Sequence, residues 1–153
     1  MKQRNNRLIL QQLDKKLLAL QPLKEMNLPE SWVKQIRKAF NMSLGQLGHK
    51  MLMTPQSVRD LERREAQGTI SLKTLKVAAE ALDMTLVYGL VPKDGSFEKL
   101  IERKAHEMAE KIVSRTSNSM RLEDQENSSE RMEQAIEDLA GDLKKEMPKS
   151  LWD

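Results

Sequence analysis

At 153 residues the chain has room for one ordinary domain, or for one small domain with extensions. Its 39% hydrophobic and 32% charged residues suit a helix-rich globular protein, its 3% aromatics argue against large stacked sheets, and its lack of cysteine excludes disulfides, thiolate zinc sites, iron–sulfur clusters and a cysteine nucleophile. The net charge of +3 hides a division, because the first 122 residues carry +9 and the remainder −6, a basic body suited to a polyanion or to plain solvation and an acidic end with a separate task or none.

Leu10, Leu13, Leu17 and Leu20 draw one apolar stripe along a first helix over residues 3–20, which Pro22 stops. After a connector, Pro29 in a first helical turn opens a second helix with Trp32, Val33, Ile36 and Phe40 inward, broken at Asn41. Ser43 with Gln46 three residues later reads as a capping box for a short helix that buries Leu44, Leu47 and Met51. Thr54-Pro55 repeats the start signal, a capping hydroxyl followed by proline at the first helical position. The helix from Pro55 to about Glu65 has only Val58 and Leu61 as apolar residues, so it shows most of its surface to something else.

Gly68 and Thr69 mark a loop, and Ser71 caps a helix with Leu72, Leu75, Val77, Ala78, Ala79 and Leu82 on its apolar side. The period then changes: β-branched and aromatic residues between Thr85 and Val91, closed by Pro92, predict a strand. With no second strand in the chain, its expected partner is the same strand of a second subunit, through Leu86, Val87, Tyr88 and Leu90. From Ser96 the helical period returns with Phe97, Ile101, Ala105, Met108 and Ile112 on one face. Residues 114–130 are polar and aperiodic, hence a linker, and Met132, Ile136, Leu139, Leu143 and Met147 form a last amphipathic helix with an acidic outer face.

The pair of short capped helices at 43–51 and 55–65, separated by Leu52, Met53 and Thr54, is the informative constellation. So short a connection makes them cross steeply and leaves the second helix's N-terminal residues projecting, a helix-turn-helix arrangement. An α-helix fits the major groove of DNA, where Gln56 pairs with adenine, Arg59 or Arg63 takes guanine or a phosphate, Ser57 adapts as donor or acceptor, and Asp60 accepts from cytosine N4 or repels unwanted acceptors. Lys50 and Lys73 belong to sequence-independent phosphate contact.

At these residues a resemblance becomes specific. MSLGQLGHKMLMTPQSVRDLERRE looks like the helix-turn-helix of the Xre, or phage repressor and Cro, family, and SLKTLKVAAEALDMTL resembles that family's following helix. The order WVKQIRKAFNMSLGQLG, TPQSVRDLERREAQGTISLKTLKVAAEAL, LVYGLVP is similar, over roughly residues 1–125, to the bacterial group called mobile mystery protein A, encoded beside a Fic-domain protein in an arrangement like a toxin–antitoxin pair. The resemblance implies base-reading positions at Gln56, Ser57 and Asp60 and backbone-contacting ones near Ser43, Gln46 and Thr54. It also implies a Fic-type partner, and Ser119 and Glu123 reproduce the first part of a Fic-inhibitory motif, although Asp124 stands where glycine or asparagine is expected. Two further departures are Leu52, where the family usually has glycine in the turn, and Gly48, where alanine is usual.

Other features have plainer readings. Gly45 and Gly48 match the spacing of an RNA-clamping loop but lie inside a helix, which suits close helix packing. His49 and His106 lack metal-binding spacing, Trp32 lies on an apolar stripe, Trp152 is a frayed end or a docking anchor, and the ten methionines fit core gaps. No nucleophile, acid–base or metal set converges, so neither an enzyme nor a cofactor is expected. No apolar run reaches membrane-spanning length and the N-terminus lacks a signal-peptide core, so a cytoplasmic protein without a membrane partner is expected.

The expected fold is mainly α: a phage-repressor-like helix-turn-helix bundle with one short strand for dimer pairing and extra N- and C-terminal helices. Its expected divisions are an amphipathic helix and connector at 1–28, the DNA-binding domain at 29–83, the strand and a dimerisation helix at 84–116, and a polar linker with an acidic helix at 117–153. The expected function is a homodimeric repressor on a palindromic DNA operator, controlling its own operon as the antitoxin-like partner of a Fic-domain protein. The alternative is an adaptor that binds a protein through its helical faces.

Overall fold

A computed structural model of the chain describes residues 2–122 and 129–153. In chain order its helices are α1 Lys2–Leu17, α2 Trp32–Ala39, α3 Leu44–Met51, α4 Pro55–Ala66, α5 Leu72–Ala81, α6 Phe97–Leu122 and α7 Ser129–Glu146, with 3-10 turns at Leu18–Glu25 and Lys149–Trp152. The chain forms two compact units, Glu25–Gly89 on the one hand and Met1–Lys24 with Leu90–Asp153 on the other.

In the unit Glu25–Gly89, each of α2 to α5 starts on a hydroxyl cap. Ser31, Ser43, Thr54 and Ser71 accept the amides of Lys34, Gln46, Ser57 and Thr74. Each also ends on a residue in the left-handed region, Asn41, Leu52, Gly68 or Asp83, after which the next amide reaches back five residues: Met42 to Arg37, Met53 to Gly48, Thr69 to Arg64 and Met84 to Ala79. Between these ends the helices meet on Val33, Leu47, Met51, Val58, Leu61, Ala78 and Leu82. Burying a Leu or Val side chain is worth about 1.5–3 kcal/mol, so this small cluster is the main adhesive of the unit.

Two corrections concern α2. Pro29 lies outside it, because the Glu65 carboxylate reaches back from α4 to accept the Trp32 and Val33 amides at 2.9 and 3.2 Å and the Ser31 hydroxyl at 2.7 Å, fixing the start at Ser31. Trp32 and Phe40 are about half exposed, and the buried positions of α2 are Val33 and Arg37. Arg37 enters the core because it is paired. Its Nε and Nη2 donate to the two oxygens of buried Glu62 at 2.6 and 3.2 Å, and its Nη1 donates to the Met42 carbonyl at 2.9 Å.

The segment from Thr85 to Val91 is not a strand, and no strand occurs among the described residues. Its backbone makes no hydrogen bond to another described residue, and a ladder needs a partner that this chain does not supply. Val87, Tyr88 and Leu90 stand 71%, 72% and 85% exposed, while Leu86 is half-buried.

In the other unit α6 and α7 pack through Ile101, Ala105, Ala109 and Leu143, joined by Leu151 and flanked by Leu10 of α1. Lys144, four residues beyond Ala140 on α7, binds Glu98 and Glu102 at the start of α6, so the two helices run antiparallel. Hydrogen bonds to both carboxylates, chiefly that to Glu102, raise the Lys144 pKa above its ordinary value. The expected linker at 114–130 is corrected at both ends: α6 continues to Leu122 and α7 begins at Ser129. Residues 114–122 contain no glycine or proline, Thr116 and Ser119 donate to the carbonyls of Ile112 and Arg115 four residues back, and half-buried Ser117 donates to Met132 Sδ of α7 at 3.5 Å, so the helix continues along its partner. No helix among the described residues is long and apolar enough to cross a membrane.

Candidate nucleic-acid interface

The candidate interface is built on the α3–turn–α4 pair. Ser43 Oγ accepts the Gln46 amide at 3.0 Å while Gln46 Oε1 accepts the Ser43 amide at 2.8 Å, closing the expected capping box. This reciprocal bond leaves the Gln46 amide N–H groups and the Ser43 hydroxyl proton for an outside acceptor. Ser43, Gln46 and Lys50 border one shallow groove with Phe40, Asn41 and His49.

The turn into α4 is tight. Leu52 adopts φ 56 and ψ 44, the conformation expected to strain leucine where the resembling family has glycine, and its side chain is 93% exposed. Its neighbour explains the other departure. A Cβ on Gly48 would stand 2.5 Å from the Met53 carbonyl oxygen, so the turn folds directly onto the space that alanine would fill. Glycine costs helix propensity there and makes the close approach possible.

From this turn, Thr54 opens α4 with Pro55 at its first position. Thr54 Oγ1 accepts the Ser57 amide at 3.1 Å and shares a hydrogen bond of 2.9 Å with the Ser57 hydroxyl. Val58, Leu61 and Glu62 face the core, leaving Gln56, Ser57, Arg59 and Arg63 exposed and Asp60 half-buried. The polar face is partly knit together, since Asp60 Oδ1 receives the Gln56 side-chain amide at 3.4 Å and the Arg63 guanidinium at 3.0 Å. Arg59, Arg63 and Lys34 border a second shallow groove together with Glu30 and the Arg37–Glu62 pair, so cations outnumber carboxylates around it.

The structure therefore gathers the named α4 residues on one exposed helix and joins Ser43, Gln46 and Lys50 at one groove. Lys73, in the first turn of α5, is exposed and bonded to none of them. Sequence reasoning missed the Arg37–Glu62 pair and the Glu65 cap, which hold α2 against α4. Glu62 and Glu65 bound the wholly charged run Glu62-Arg63-Arg64-Glu65, which gives no apolar period to read, and Arg37 looks like any surface cation until its partner is placed. Among the described residues no three His, Asp or Glu side chains converge as a metal set, and His106 sits 3.5 Å from Glu110 on α6. Ser119 is exposed on α6, and its motif partner Glu123 lies outside the described residues.

A family model described as Helix-turn-helix matches residues 33–88, so this stretch is a helix-turn-helix domain of Xre-like type, the kind found in DNA-binding regulators. No curated protein and no solved structure gives a significant match to the chain.

Proposed function

We propose that the chain is a sequence-specific DNA-binding repressor that acts as a homodimer on a palindromic operator. The observation that carries this reading is the exposed polar face of α4, held by Thr54 at one end and by Val58 and Leu61 beneath. An α-helix so mounted fits the major groove, with its N-terminal residues nearest the base edges. In this reading Gln56, Ser57 and Arg59 meet bases, while Ser43, Gln46, Lys50, Thr54, Arg63 and Lys73 meet phosphates. Dimerisation is supported by the exposed apolar side chains of Val87 and Tyr88, which water covers poorly and a two-fold related copy would cover reciprocally. Autoregulation and a Fic-domain partner rest on the resemblance to the mobile mystery protein A group.

Gel shifts at two salt concentrations, on duplexes selected from a random pool, test the reading. Gln56→Ala should lose about 1–3 kcal/mol on the selected site and relax one base position. Lys50→Ala or Lys73→Ala should instead weaken all duplexes alike and flatten the salt slope by about one. Val87→Asp should shift the protein toward monomer in light scattering. A second reading, a protein-binding adaptor, draws on the same exposed apolar residues and on half-exposed Trp32. It prevails if the protein selects no duplex at either salt concentration.

A further inference from the structure

We infer that Asp60 is a positioning residue for DNA reading: it reads no base itself but fixes which way the Gln56 amide faces and restrains Arg63. The inference rests on the proposal that α4 enters the major groove. Gln56, Asp60 and Arg63 follow one another at intervals of four and three residues, so they form one stripe on the exposed side of α4. At the centre of that stripe a single oxygen, Asp60 Oδ1, accepts the Gln56 side-chain amide at 3.4 Å from Nε2 and forms an ion pair with Arg63 Nη2 at 3.0 Å. Asp60 is the less exposed member of its ion pair, 40% against 64% for Arg63.

A carboxylate on a surface that meets a polyanion is repulsive unless its charge is met, and Arg63 meets it. The effect on Gln56 is directional. A side-chain amide has a donating and an accepting end, and rotation by half a turn exchanges them. With Asp60 beside it, the donating end is attracted and the accepting end repelled, so Nε2 faces Asp60 and spends one N–H there. What remains outward is one N–H and the carbonyl oxygen. That donor–acceptor pair matches N7 and the N6 amino group of adenine, whereas guanine offers two acceptors to the same approach. Asp60 thus biases the site toward adenine at the base pair that Gln56 meets. It also occupies one Arg63 nitrogen that would otherwise be free for a phosphate.

The test is selection from a random duplex pool, followed by binding at several salt concentrations, with the full chain as wild type, Gln56→Ala, Asp60→Ala, Asp60→Asn and the Gln56→Ala/Asp60→Ala double variant. Wild type should choose adenine at one position and Gln56→Ala should lose that choice. Asp60→Ala should lose about tenfold in adenine preference at the same position and at no other, and the double variant should lose no more than Gln56→Ala alone. With the carboxylate that offsets Arg63 removed, the salt slope of Asp60→Ala should steepen, by at most about one. Asp60→Asn keeps a carbonyl acceptor for Gln56 while releasing the charge, so it should keep the adenine preference and show the steeper slope.

Loss of preference at a separate position, with additive losses in the double variant, makes Asp60 a base reader and overturns the inference. So does full retention of the adenine preference in Asp60→Ala. If wild type selects no sequence at all, the DNA-reading proposal fails and this inference with it. A surface carboxylate of purely structural importance would move the melting temperature and leave the base profile unchanged.

Discussion

In the unit Glu25–Gly89 the helices run 8 to 12 residues and each is closed at both ends, whereas in the other unit α6 alone runs 26 residues and α7 runs 18. Helices of the shorter length are marginal in isolation, so caps, left-handed termini and a shared core must fix where they begin, end and cross. The long pair depends instead on one seam, with Ala105 and Ala109 letting the backbones approach, and the contact continues along α6 to Ser117, which donates to Met132 of α7. The ion pairs divide in the same way. Arg37 and Glu62 are buried and tie α2 to α4, while Arg103 lies on the surface of its unit, bridging Asp94 and Glu107 at 2.7 and 2.9 Å. The unit that carries the helix-turn-helix is thus built from many local constraints, and the other unit from few.

The largest expected effect tests the buried tie. Glu62→Ala leaves the Arg37 guanidinium in the core with the Met42 carbonyl as its remaining partner, and should cost about 3–5 kcal/mol in denaturant unfolding. Replacing both partners together, Arg37→Met with Glu62→Leu, should recover most of that loss, because no charge is then left buried. An unchanged unfolding midpoint in Glu62→Ala would break the contrast between the two units.

Gly48→Ala comes next. Helix propensity alone favours alanine by about 1 kcal/mol. The new methyl, however, would meet the Met53 carbonyl oxygen, which belongs to backbone committed to the turn. A net loss of about 1–3 kcal/mol is expected, together with weaker duplex selection if α4 shifts. Leu52→Gly works in the opposite direction at the other end of the same turn. It relieves the left-handed strain at some cost in unfolded-chain entropy, so the thermal midpoint should rise by an amount equivalent to about 0.5–1 kcal/mol.

These positions also show what was legible in the sequence. Ser43, Gln46, Thr54, Pro55 and Ser71 announced three helix starts, because a cap is written in residues adjacent to the bond it makes. Asn41 and Gly68 announced two ends for the same reason. Ser31 was masked by Pro29, a stronger start signal two residues earlier, and the Glu65 carboxylate that decides between them comes from 34 residues away. The stretch Thr85–Val91 has the composition of a strand, yet a strand is a relation between two segments, and composition describes one. The helix through residues 114–122 was hidden for the converse reason: the side chain it turns toward α7 is that of Ser117, a polar residue, so there is no apolar period to display. On α4, the face that points outward was readable from the narrow Val58–Leu61 stripe, while the bonds among Gln56, Asp60 and Arg63 depend on rotamers that spacing does not specify.

The smallest expected effect belongs to Arg103→Ala. The Arg103 guanidinium, through its hydrogen bonds, holds the Asp94 and Glu107 carboxyls below the usual carboxylate range, and those bonds in turn raise its own pKa. A depressed carboxyl adds stability where it is ionised in both folded and unfolded chains, and that stability disappears as falling pH protonates it in both. The difference in melting temperature between wild type and Arg103→Ala should therefore be constant from neutral pH down to about pH 5 and shrink toward zero below that. Solvent screens a pair so exposed, so the plateau itself should be small beside the Glu62→Ala effect. In carboxyl-detected NMR titrations Asp94 and Glu107 should titrate at higher pH in the variant than in wild type. Equal titration in the two proteins would mean that the bridge does not hold in solution. A plateau as large as that of Glu62→Ala would mean that the two units are not held by different means.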